Sequence, residues 1–200
     1  MIHPINKIQG RQDGTRCSRR RFLARSAGAT AFTIVPRHVL GGSGHVPPSE
    51  KVTLAGIGMG GRGLQDITAL LALPEVQVVA VCDVDKERGS YLSWDWSQGK
   101  ERRLGGREPA RRMVDEYYSK GQPSGRSGGC TAYSDYRELL EKEDVDAVVV
   151  ATPDHAHAVI TMAALKRKKH VFCEKPLTYS VAEARQVTEA ARRAGVATQL

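Results

Sequence analysis

Beyond residue 50 the chain alternates short, nearly unbroken apolar runs with longer amphipathic stretches. The clearest runs are Val52–Ala55, Val76–Cys82, Val145–Ala151 and His170–Cys173, with shorter candidates at Thr131–Tyr133 and Val196–Thr198. Runs of this length without polar alternation suit parallel strands covered on both faces. Helix-compatible segments separate them at Arg62–Leu73 and 156–167, and a last one opens at Ser180-x-x-Glu183 and closes near Gly195, both recognisable capping signals. Asp135-x-x-Glu138 ahead of Leu139-Leu140 has the same capping-box spacing, with Asp in place of Ser or Thr. Alternating strands and helices predict an α/β fold with a doubly wound parallel sheet over residues 50–200.

The turn after the first apolar run carries the most chemistry. It reads Gly56-x-Gly58-x-x-Gly61 between a strand and a helix, the glycine signature of a dinucleotide-binding Rossmann unit. Gly56 permits the tight turn, Gly58 lets backbone approach a pyrophosphate, and Gly61 lets helix pack against strand. Gly56, Gly58, Met59, Gly60 and Gly61 together form the expected phosphate cradle, completed by the unpaired N–H groups of the helix start. The second apolar run ends in Asp83-Val84-Asp85, placing a carboxylate 27 positions after Gly56; a ribose-binding acid is expected after about 20. Asp83 accepts from ribose hydroxyls in this reading, while Asp85 reads equally as a turn former. A 2′-phosphate there meets a repulsion of roughly 1–4 kcal/mol per unit charge, which favours NAD over NADP. Arg62, near the phosphates, softens that preference and leaves NADP possible.

The strand at Val145–Ala151 lies beside the first in the usual strand order, at the switch point where open α/β sheets gather ligands. The turn after it, Thr152-Pro153-Asp154-His155-Ala156-His157, is therefore a second candidate element: Pro153 fixes backbone against the cofactor and His157 opens the next helix. His155 reads as a surface residue. The strand at His170–Cys173 runs into Glu174-Lys175-Pro176, at the same end of the sheet. Residues 86–129 are an insertion without clear periodicity, bearing Trp94, Trp96 and eight glycines, with a helix expected at Ala110–Lys120.

Charge changes the picture only at the N-terminus. The net charge of +8 resides mainly in residues 1–50, where eight Lys/Arg face only Asp13 and Glu50; the rest holds 22 basic and 20 acidic side chains. A nearly neutral domain argues against a nucleic-acid partner. Ser18-Arg19-Arg20-Arg21-Phe22-Leu23 resembles a twin-arginine export signal, followed by an apolar stretch from Ala27 to Val35 that is too short to span a membrane. Ala24 replaces the usual lysine, and no clean A-x-A cleavage site is visible. Residues 1–49 are thus read as signal segment and linker, the protein as periplasmic or otherwise exported, and its membrane contact as transient. The cysteines form no framework. Cys82 and Cys173 fall on strands three spacings apart, roughly 14 Å, Cys130 is placed at the opposite sheet edge from Cys82, and no ligand spacing points to a metal.

Taken in order, the glycine turn, Asp83, Thr152-Pro153-x-x-x-His157 and Glu174-Lys175-Pro176 resemble the Gfo/Idh/MocA family, the glucose–fructose oxidoreductase and inositol dehydrogenase group, over about residues 50–200. The resemblance implies hydride transfer between NAD(P) and a sugar, cyclitol or related polyol. It implies Lys175 as the catalytic residue beside nicotinamide and substrate hydroxyl, Glu174 on the nicotinamide ribose and His157 packed at the cofactor. It further implies a second α/β substrate domain, with a catalytic histidine, that is missing from this chain, so a fragment is expected; a homo-oligomer is possible. Two other readings stay open: a relative of the NAD-dependent glycoside hydrolases, which oxidise the sugar transiently, and a non-catalytic nucleotide-binding module.

Overall fold

The structure, a computed structural model, describes residues 46–92, 102–120 and 129–200. All of them belong to one compact unit, Arg37–Leu200; the other unit, Met1–Pro36, lies wholly outside the described residues. The twin-arginine reading falls there, and Trp94 and Trp96 fall outside them as well.

After a 3-10 turn at Pro48–Glu50, the order is β1 (Val52–Ile57), α1 (Gly61–Leu71), β2 (Val76–Cys82), β3 (Arg88–Leu92), β4 (Arg102–Gly105), α2 (Arg107–Ser119), β5 (Thr131–Tyr133), α3 (Tyr136–Lys142), β6 (Ala147–Val150), α4 (Asp154–Lys166), β7 (His170–Cys173), α5 (Val181–Ala194) and β8 (Thr198–Gln199). Six strands form one parallel sheet in the order β5-β2-β1-β6-β7-β8. This is the expected doubly wound arrangement, with its switch point between β1 and β6. The continuous apolar runs follow from two-sided burial. Ala55, Val148 and Val150 enter one core with Leu139, Ile160 and Val187 of α3, α4 and α5. Leu54, Val81 and Val149 enter the other with Ile67 and Val114 of α1 and α2. At the foot of the sheet, Thr53 donates N–H and Oγ1 to Asp146 Oδ2 at 2.8 and 2.7 Å and accepts from the Asp146 N–H, fixing how β1 meets β6.

The insertion resolves into an antiparallel hairpin, β3 against β4, followed by α2, the crossover helix that the pattern placed at Ala110–Lys120. It starts three residues early because Gly106, at φ 110°, breaks the chain there. The last helix carries the full capping box, Ser180 with Glu183, and ends at a left-handed Gly195. The box expected at Asp135 is only half formed: Asp135 accepts from the Arg137 N–H, but Glu138 bonds Lys142 instead of reaching back. Helix α4 opens at Asp154 rather than 156, with Pro153 as its N-cap at φ −59°, an angle already suited to the helix entry. Cys82, Cys130 and Cys173 are buried and form no disulfide. Cys130 is corrected in position: it precedes β5, which pairs directly with β2, so it lies one strand from Cys82 and nearer the opposite end of that pair. No helix among the described residues is long and apolar enough to cross a membrane.

Candidate functional site

The turns leaving β1, β2, β6 and β7 converge at one end of the sheet, and backbone bonds tie them sideways. Gly58 N–H donates to Cys82 O at 2.8 Å, Ala151 N–H to Ile57 O at 2.9 Å, and Glu174 N–H to Val150 O at 2.8 Å. The site residues read from the sequence lie on these four turns or beside them, with Gly56 at the end of β1, Gly61 at the start of α1 and His157 in the first turn of α4.

Gly58 has φ 90°, and a Cβ there would stand 2.6 Å from the backbone of Ala151 and Thr152, so two turns meet where a side chain cannot be accommodated. A Cβ at Gly56 would strike Met59 and Ile67. A further close approach, of helix to turn, is made by Gly63, where a Cβ would lie 1.9 Å from Gly58 O. The fifth glycine of Gly56–Gly63 is visible in the chain, but the three-glycine template passes over it. Met59 is fully buried, its N–H donates to Asp83 Oδ2 at 2.6 Å and its carbonyl accepts from Gly106 N–H. Its main-chain groups are thus committed to holding the turn.

Asp83 is buried, with Oδ2 on Met59 and Oδ1 accepting the Asp85 N–H at 2.8 Å. Burial pushes its carboxyl above the usual range against the pull of those two N–H groups. Each oxygen keeps a second acceptor direction. Tyr91, on the hairpin, was not found from sequence because it sits in the insertion without periodicity. Its ring lies against Gly60 and Gly105, where added Cβ atoms would stand 2.8 and 2.4 Å from it, and its hydroxyl donates to Asp85 Oδ2 at 2.8 Å.

Across the switch point, Arg62, in the first turn of α1, turns its guanidinium to two acids. Its Nε and Nη2 donate to Glu174 Oε1 at 2.9 and 2.7 Å, and Nε also pairs with Asp66 Oδ1 at 3.0 Å. Burial raises Asp66 to about 6, Arg62 opposing and Glu174 adding to the rise; its Oδ2 is buried without a partner. His157 is 1% exposed. Its Nδ1 faces Pro176 O at 2.6 Å and its Nε2 faces Thr152 O at 2.7 Å. Carbonyls only accept, so each protonated ring nitrogen donates to the carbonyl it faces. Lys175, between Glu174 and Pro176, is exposed.

The residues fit an anionic dinucleotide. Helix α1 begins with no side-chain cap and no acid in its first turn, whereas α3 and α5 are capped by Asp135 and Ser180. Its first N–H groups and dipole end are left for a ligand. Thr152 Oγ1, at the switch point, is buried without a partner.

Comparison with known proteins agrees. Residues 104–200 match the Gfo/Idh/MocA family, described as an oxidoreductase family with an NAD-binding Rossmann fold. Over 146 residues the chain is 32% identical to inositol 2-dehydrogenase of Salmonella typhimurium, covering 72% of this chain and 34% of that relative. It is 31% identical to a glycosyl hydrolase family 109 protein of Stenotrophomonas maltophilia, over 78% of this chain and 29% of the relative. Among solved structures it is similar to myo-inositol dehydrogenase from Lactobacillus casei in complex with NAD(H) and myo-inositol, at 26% identity and a TM-score of 0.52, over 72% of this chain and 34% of the other. The chain spans between about a fifth and about a third of the length of the curated relatives it matches. Over residues 104–200 the Rossmann domain described here carries the match to the Gfo/Idh/MocA oxidoreductase family.

Proposed function

We propose that this chain is the dinucleotide-binding part of an NAD-dependent oxidoreductase acting on a sugar, cyclitol or related polyol. The observation that carries the reading is that Lys175 stands exposed at the end of β7 while its neighbour Glu174 is bound to Arg62 of the glycine-turn helix. That supports reading Lys175 as a proton-handling group beside the cofactor cradle. Bound NAD supplies the hydride acceptor. Lys175 would orient the substrate hydroxyl and take its proton as the hydrogen on the same carbon departs as hydride, leaving a carbonyl; Glu174 and Asp83 would hold ribose hydroxyls, and the glycine turn with the α1 N-terminus would hold the pyrophosphate. In the full-length protein, Lys175→Ala is expected to lower kcat about 10²–10⁴-fold, the usual share of a positioned acid–base group, with NAD still bound. Unchanged turnover in that variant would leave only a nucleotide-binding module.

The glycosyl hydrolase relative supports a second reading, in which the sugar is oxidised only transiently. Absorbance at the reduced-nicotinamide band separates the two: steady NADH accumulation with a polyol supports the dehydrogenase, and glycoside cleavage without it supports the hydrolase. The same proposal includes twin-arginine export, read from Arg19-Arg20-Arg21, and a cofactor loaded before transport. Recovery of protein with bound nucleotide from the periplasmic fraction tests it, and retention in the cytoplasm overturns it.

A further inference from the structure

We infer that Arg62 and His157 are positioning residues for Lys175, each holding the backbone on one side of it; the inference rests on the proposed role of Lys175. A lysine head on four flexible methylenes can be placed only as well as the backbone from which its stem begins. Here that point is held from both directions. On the N-terminal side, Glu174 is tied through its N–H to Val150 O at 2.8 Å and through Oε1 to both Nε and Nη2 of Arg62, 112 residues away. Arg62 is itself aimed by Asp66, one turn along α1. On the C-terminal side, the buried His157 ring is wedged between the Pro176 carbonyl, 2.6 Å from Nδ1, and the Thr152 carbonyl of the turn after β6, 2.7 Å from Nε2, and its N–H donates to one of them in either neutral tautomer. Lys175 therefore stands on a three-residue arch whose feet rest on α1 and α4, and α1 carries the glycine turn. Cofactor cradle and lysine are registered to each other by side chains, which matters because a misplacement of about 1 Å costs roughly 10²-fold in rate.

The test uses the full-length protein and the polyol that supports NADH formation. Arg62→Gln and His157→Gln are each expected to lower kcat about 10–100-fold while KM for the polyol moves less than about threefold. In a Lys175→Ala background the same changes are expected to cost less than about twofold, because residues acting through one group are not additive. Equal losses in both backgrounds would overturn the inference, as would an effect confined to KM or, for Arg62→Gln, to NAD affinity. The Arg62 side chain is 43% exposed, so its replacement spares the core and carries the test if His157→Gln lowers Tm or yield. Failure of the underlying reading looks different: Lys175→Ala itself would then turn over normally. If Lys175→Ala is inactive and both other variants retain wild-type kcat, only the positioning role falls.

Discussion

Single residues at the glycine turn do two kinds of work, shaping backbone and holding charge. Gly63 is shaped by contact alone, since a Cβ there would overlap Gly58 O at 1.9 Å. Gly63→Ala is expected to destabilise by at least the upper part of the 1–3 kcal/mol range typical of overpacking, read from the urea midpoint. Asp66 works the other way. Its pKa rises from 3.8 to about 6 on folding, so between those values the folded state binds more protons than the unfolded one and stability falls as pH rises. The favourable contribution is complete below 3.8 and lost through about 6. Asp66→Asn, which cannot ionise, should match the wild-type Tm near pH 4 and exceed it near pH 8; a constant offset across that range would contradict the assignment.

Elements are held by their ends. Ser180 caps α5 by accepting the Glu183 N–H, so Ser180→Ala should cost about 1 kcal/mol, while Asp135, whose box is half formed, protects a helix of only seven residues. At the foot of the sheet, Thr53 is the main cause holding the Asp146 carboxyl below its usual pKa. A depressed carboxylate contributes stability above its unfolded pKa and loses it as pH falls through the folded value. Thr53→Val should therefore destabilise by about 0.5–1 kcal/mol at neutral pH, the low end because the pair is exposed. The deficit should shrink once pH drops below the ordinary carboxylate value, as followed by thermal unfolding.

At the scale of the molecule, the parallel sheet collects four turns at one end and buries both faces under helices, leaving the ligand groups at the switch point. Binding there should stabilise the fold by mass action, about 2.7 kcal/mol at NAD concentrations 100 times Kd. NADP should bind at least tenfold more weakly where Asp83 is ionised, since repulsion of about 1.4 kcal/mol already gives that factor. Because burial raises the Asp83 pKa, the discrimination should fade on acidification sooner than for an ordinary aspartate. Titration calorimetry with both nucleotides at two pH values checks both statements.

The sequence by itself determined the sheet, the order of its elements and the four turns that hold the site. Those depend on local facts: unbroken apolar runs, glycines at fixed spacing, caps, and acids at strand ends. Tertiary structure decided the partners. That Arg62 turns to Glu174, that His157 lies between Thr152 and Pro176, that Gly63 presses on Gly58 and that Tyr91 lies on Gly60 all depend on which loops the folded sheet brings together. Residues far apart in the chain have no periodicity in common, so side-chain pairing across a sheet end leaves no trace in any one segment. Only the three-dimensional register of β1, β6 and β7 brings such groups within hydrogen-bond reach.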